Sequence, residues 1–134
     1  MKFYIGSSFA NISQVRELAA FLMEKGFYQT YDWTGNSRAE NAGELRSIGE
    51  AEFASVKEAD FVVIILPAGK GSHIELGLAL GFGKRVYLYS EEDLKDNPAE
   101  ASTFYFLQQV IHISGTLEEL KEELIEAECV TEHR

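Results

Sequence analysis

Apolar residues fall into two rhythms along this chain. Short runs rich in aliphatic and aromatic residues lie at 2–5, 27–31, 61–66, 85–89 and 110–113, with the length and density of strands in a covered sheet. Between them apolar positions recur every three or four residues, as at Val15, Leu18, Ala19 and Leu22, the stripe of an amphipathic helix. Glycine punctuates the alternation: Gly6 closes the first run, Gly26 stops the first helix, and Gly83 stops the helix after the third run. The spacing predicts further helices over about 40–58 and 72–82. A last helix starts near Thr116, where Glu119 three residues on forms a capping box. Residues 32–38 read as a polar loop and 90–104 as a mobile one.

Strands alternating with helices through short connections mean a parallel sheet covered on both faces. The expectation is an α/β, flavodoxin/Rossmann-like three-layer sandwich with a five-stranded parallel sheet in the order 2-1-3-4-5, one domain over residues 1–134. Such sheets take ligands at the carboxyl ends of strands one and three. Those ends carry Gly6, Ser7 and Ser8 in one loop and Gly69, Lys70, Gly71 and Ser72 in the other. A helix start offers unpaired backbone N–H groups to a small anion, so the second loop suits a phosphate.

Composition narrows the partners. A net charge of −10 argues against nucleic-acid polymers and anionic membranes, both of which need a basic face. Part of that acidity is the crowd Glu118, Glu119, Glu122, Glu123, Glu126, Glu128 and Glu132, which reads as a solvated helix face. The longest apolar run, 61–66, is far short of the roughly 20 residues of a membrane span, and 2–5 is too short for a signal-peptide core. A lone Cys129 fits a reducing, cytoplasmic setting. With His73, His112 and His133 unclustered and no spaced cysteines, neither a metal site nor a cofactor is expected.

Two glutamates carry the candidate chemistry. Ser72-x-x-Glu75 has capping-box spacing, which would make Glu75 a helix cap. Yet Glu75 shares a face with Leu78, Ala79 and Phe82, the face that should meet the sheet, and both readings stand. On the preceding helix Glu52 falls in the middle of the stripe Leu45, Ile48, Phe53 and Val56. A carboxylate facing a core is costly unless paired or used. With that helix beside strand three, Glu52 and Glu75 would face each other, one pKa pushed up and the other carboxyl left ionised. Trp33, after strand two, suits either stacking on a nucleobase or packing on the sheet rim. Asp60 reads as a structural residue at a helix-to-strand junction, and His73 as an exposed first-turn histidine.

Phe3-Tyr4-Ile5-Gly6, Glu52 eight residues before Asp60, Ala59-Asp60 opening strand three, and Gly71-x-x-x-Glu75-Leu76-Gly77 together resemble the nucleoside 2-deoxyribosyltransferase-like superfamily, which includes nucleotide N-glycoside hydrolases. The resemblance covers about residues 2–90. It implies that Glu75 attacks C1′ of the sugar to form a covalent glycosyl-enzyme, that Tyr4 orients Glu75, and that Glu52 assists. It also implies a small nucleoside or nucleotide as substrate and a homodimer or larger homo-oligomer. Two departures matter. The helix carboxylate is usually Asp, so Glu52 reaches one methylene further. Deoxynucleoside transferases carry a base-contacting aspartate six residues before the nucleophile, where this chain has Gly69, followed by Lys70. Gly69, Lys70, Gly71 and Ser72, with Ser7 and Ser8 opposite, suit a 5′-phosphate better than a bare hydroxyl, although Lys70 reads equally as a loop lysine.

The rivals are a lysine-decarboxylase-like phosphoribohydrolase, whose Pro-Gly-Gly-x-Gly-Thr-x-x-Glu motif is echoed at 67–75 with Ala68 in place of glycine, and a non-catalytic nucleotide sensor. The base, the sugar and the acceptor are left open by the sequence.

Overall fold

In the computed structural model, which describes residues 1–132, the two rhythms become strands and helices that alternate until β4, after which only short 3-10 turns precede β5. The order is β1 (Lys2–Gly6), α1 (Ile12–Glu24), β2 (Tyr28–Gln29), α2 (Ala42–Glu58), β3 (Phe61–Ile65), α3 (Lys70–Gly81), β4 (Arg85–Ser90), β5 (Val110–Ser114) and α4 (Leu117–Glu132). The five strands form one parallel sheet in the order β2-β1-β3-β4-β5. Tyr4 lies opposite Val62, Gly6 opposite Ile64, and Val62 opposite Val86. Helices α1 and α4 pack together on one face, α2 and α3 on the other, which gives three layers.

The sheet is held by what its central strand buries. All five residues of β3 are inaccessible, and Phe61 meets the rings of Phe3, Phe27 and Tyr87 at 5.8–6.1 Å. Burial on this scale is the main stabilising term, on the order of 2 kcal/mol for each large apolar side chain. Gly26 and Gly83 take φ of +96° and +71° where α1 and α3 end, a region that side chains disfavour. Thr116 and Glu119 form the reciprocal capping box at the start of α4, and Asp60 accepts a bond from the Lys2 amide.

Four expectations are corrected. The second strand shrinks to two residues because Asp32 accepts from the Thr34 amide and turns the chain into a short 3-10 helix, Trp33–Gly35. Residues 90–104 carry short 3-10 turns, Leu94–Asp96, Pro98–Glu100 and the start of Thr103–Phe106, with Asp93 and Ser102 as caps. The apolar stripe of α2 reaches the core only at Val56: Leu45 is 63% and Phe53 47% exposed, and besides Val56 only Ser55 is buried in this helix. Glu128 is not on a solvated face. It follows the buried Leu120 and Leu124 at helical spacing, is itself fully buried, and receives Arg85 through both carboxylate oxygens at 2.6 and 3.0 Å and the Tyr87 hydroxyl. Glu118, Glu119, Glu122, Glu123 and Glu126 are exposed as expected. Among the described residues no helix is long and apolar enough to cross a membrane. His133 lies outside the described residues.

Candidate active site

Beneath α2 and α3, one tyrosine hydroxyl joins two carboxyl groups. Tyr4, at the middle of β1 and fully buried, donates to Glu75 Oε2 at 2.7 Å, and Glu52 Oε2 stands 3.2 Å from the same oxygen. A hydroxyl has one proton to give. It therefore serves one carboxyl at a time, and the shorter distance assigns it to Glu75. Glu75 is 5% exposed and Glu52 half-buried. Burial pushes the Glu75 carboxyl up to about 9, reinforced by its hydrogen bond to Glu52 and by that neighbour's charge, while the Tyr4 bond pulls the other way. Burial and the two carboxylates raise the Tyr4 phenol far above its ordinary value, so it acts as a donor and never as a base.

The helix-cap reading of Glu75 fails on geometry. Helix α3 starts at Lys70 with Gly69 as its cap, two residues before the expected start, so Ser72 lies inside the first turn. The Glu75 side chain runs to Tyr4 instead. The end of β1 makes room for it: a Cβ at Gly6 would stand 2.8 Å from Glu75 Oε1 and 2.9 Å from Ile64 Cδ1.

A cavity of about 690 Å3 opens over Glu52 and Glu75, with Tyr4 buried behind them. The loops expected to meet at one crevice do so: Ser7, Ser8, Gly69, Gly71 and Ser72 line it together with Glu52 and Glu75. Their hydroxyls differ in availability. Ser7 donates to the Ile65 carbonyl at 2.8 Å and accepts from Asn11, and Ser8 caps the turn Phe9–Asn11. The cap residue Gly69 offers no side chain, which leaves the first amides of α3 without side-chain partners at the cavity wall. Lys70 is exposed and does not line the cavity. Trp33 lines it but is only 6% exposed and donates its Nε1 to the Ile5 carbonyl at 2.7 Å, so its ring belongs chiefly to the sheet rim. His73 turns to the other side of the loop, bonding Gly69 O and the Tyr105 hydroxyl.

Of the lining residues that escaped the sequence reading, two carry chemistry of their own. Phe9, 60% exposed, stands edge-on to Trp33 at 5.2 Å. Arg38 is an exposed cation on the lining loop 36–39. Phe9 opens the three-residue 3-10 turn Phe9–Asn11 and Arg38 lies in a loop, segments too short or irregular for periodicity to carry a signal.

A model of the nucleoside 2-deoxyribosyltransferase family matches residues 3–122. Among solved structures, a CMP N-glycosidase of Clostridium botulinum, BcmB, superposes with a TM-score of 0.61 at 20% identity, over 92% of this chain and 98% of that one. A conserved protein from Enterococcus faecalis V583 does so at 0.54 and 17% identity, over 94% and 95%. At these identities the likeness is one of fold. No curated protein matches the chain.

Proposed function

The chain belongs to the nucleoside 2-deoxyribosyltransferase family, and from that premise we propose that it breaks the N-glycosidic bond of a nucleoside or nucleoside 5′-monophosphate with Glu75 as nucleophile. The observation that carries the reading is the single hydroxyl of Tyr4 within 2.7 Å of Glu75 and 3.2 Å of Glu52, the two carboxyls that line a cavity. Two carboxyls sharing one proton hold both things the reaction needs, an ionised oxygen and an acid. Burial favours the proton on Glu75, so Glu75 first passes it to Glu52, and the carboxylate so formed attacks C1′. The C1′–N bond breaks, its electron pair stays on the base nitrogen, and Glu52 protonates the leaving base. Water or an acceptor base then attacks C1′, Glu52 takes its proton, and Glu75 departs as the carboxylate. Tyr4 holds Glu75 in line throughout.

The substrate end divides along the cavity. The uncapped start of α3 at Gly69–Ser72 suits a 5′-phosphate, because backbone N–H groups and the helix dipole favour negative charge there. Phe9, an exposed ring backed by Trp33, suits the flat face of a nucleobase. The uncovered apolar stripe of α2, Leu45 and Phe53 with Ile48 at the cavity edge, suits burial against a second copy of the chain.

The test is chromatographic release of free base from a panel of nucleosides and their 5′-monophosphates, with and without an acceptor base, for wild type and Glu75→Gln. Base released by wild type alone supports the assignment, and the preferred substrate settles phosphate against hydroxyl. A Glu75→Gln protein with full activity sinks it, and no release from any substrate leaves a binding domain without turnover.

A further inference from the structure

The connection from β3 to α3 is a thin wall. Gly69 faces the catalytic cavity. Leu66, Pro67 and Ala68 face a second cavity of about 740 Å3, lined also by His73 and Tyr105. Apart from the adjoining chain, no atom lies within 4 Å of where a Cβ would project from Gly69 or Gly71, so packing from elsewhere in the fold does not hold either glycine. Two glycines in three residues make this turn costly to order. Yet the proposed function needs it ordered, because its amides are the phosphate end of the site.

Polar bonds replace the missing packing. His73 Nδ1 lies 2.8 Å from the Gly69 carbonyl and Nε2 lies 2.6 Å from the Tyr105 hydroxyl. A carbonyl oxygen only accepts, so in the neutral ring Nδ1 carries the hydrogen and Nε2 accepts from Tyr105. Tyr105 is itself fixed: it is 5% exposed, its ring stacks on His73 at 5.8 Å, and its carbonyl is bonded to His112 Nε2 on β5. The bonds all run one way, from β5 through Tyr105 and His73 to the cap of α3.

We propose that His73 and Tyr105 are positioning residues that hold the Gly69–Ser72 turn in its phosphate-binding shape, touching no substrate themselves. This rests on the reading of the α3 start as a phosphate site. Deleting the Tyr105 hydroxyl would free His73 Nε2, and deleting the imidazole would leave the Gly69 carbonyl only its helical bond from the residue 73 amide, 3.1 Å long. An asparagine at position 73 carries its amide nitrogen where Nδ1 sits and keeps the bond to Gly69.

The experiment compares KM and kcat on a nucleoside 5′-monophosphate and on the matching nucleoside for wild type, Tyr105→Phe, His73→Ala and His73→Asn. Tyr105→Phe should raise KM for the monophosphate roughly three- to tenfold, the worth of about one hydrogen bond, and His73→Ala more. His73→Asn should stay nearer wild type than His73→Ala. The KM for the nucleoside and both kcat values should hold within about twofold if ground-state binding alone is lost. Equal losses on both substrates, a fall confined to kcat, or an asparagine variant as weak as the alanine one would overturn the proposal. Calorimetric binding of the monophosphate and of inorganic phosphate to the same proteins separates the two claims. A wild type that turns over nothing removes the N-glycosidase reading, and the order of phosphate affinities still decides the brace. A wild type that binds neither anion overturns it.

Discussion

Gly6 and Glu75 occupy the same space: Oε1 of the glutamate lies 2.8 Å from where a side chain on residue 6 would begin. The backbone of β1 and the carboxylate of α3 can approach this closely only because the strand ends in glycine. Gly6→Ala should fold, since no positive φ is required at that position, but must displace the carboxylate or Ile64. Misplacement of a reacting group by about 1 Å can cost on the order of a hundredfold. The check is kcat/KM beside a melting curve: a variant as active as wild type would show that the carboxylate moves freely.

Glu52 and Tyr4 pull on Glu75 in opposite directions. After burial, Glu52 raises the Glu75 pKa and the Tyr4 bond lowers it. Glu52→Gln should therefore move the Glu75 titration toward the ordinary carboxyl range and Tyr4→Phe further above it, both read by carbon NMR of the labelled carboxyl. Shifts of the same sign in the two variants would refute the shared-proton arrangement. Tyr4→Phe should also lower kcat, by about ten- to a hundredfold near neutral pH.

Glu75 makes the protein less stable as pH rises. Its folded pKa, about 9, lies above the ordinary 4.5, so the folded chain keeps a proton that the unfolded chain releases. Below about pH 4.5 both states hold it and nothing is lost. Between the two values stability falls, by at most about 1.4 kcal/mol per pH unit, and above the upper one the loss is complete. Glu75→Gln bears no such proton and still satisfies Tyr4. Its melting temperature should overtake that of wild type by a margin that widens from pH 5 to pH 9. A constant margin would contradict the raised pKa.

The buried ion pair on the other face predicts an asymmetry. Glu128 is fully buried, while the Arg85 side chain is 37% exposed. Arg85→Met strands a carboxylate with only Tyr87 for a partner and should cost about 3–5 kcal/mol. Glu128→Gln leaves a cation that can still reach water and should cost less, roughly 1–3 kcal/mol. Denaturant unfolding of the two variants decides the order, and neither should change KM.

Helix α2 should report self-association. Leu45→Lys places a charge in the uncovered stripe, away from Tyr4, and should shift the protein to a smaller species in sedimentation velocity. A wild type already monomeric at micromolar concentration would show that this face has another use.

Periodicity made the sheet order legible, because a parallel arrangement leaves few ways to connect strands of this length. Glu52 and Glu75 were legible as carboxylates on apolar helix faces, whereas Tyr4 came only with the family resemblance, since a tyrosine in a strand breaks no rule. The start of α3 was not legible. That helix is apolar nearly all round, so its phase gives no edge, and a glycine cap leaves no side-chain signature. Glu128 was hidden by its neighbours, since one paired acid among exposed ones looks like the crowd until Leu120 and Leu124 are counted in register with it. Phe9 and Arg38 reach the cavity from loops, whose course depends on contacts distant in sequence.

Glu75 and Glu128 lie under opposite layers of helix, one beneath α2 and α3 and the other beneath α4. Each confines its demands to its own side. Loops at the cavity can be rebuilt for a different base without loosening the pair that secures α4. That pair can be strengthened or replaced without disturbing the bonds of Tyr4 to Glu52 and Glu75. Heat resistance and substrate choice are thus separately adjustable in this chain, an advantage for anyone who would redirect it.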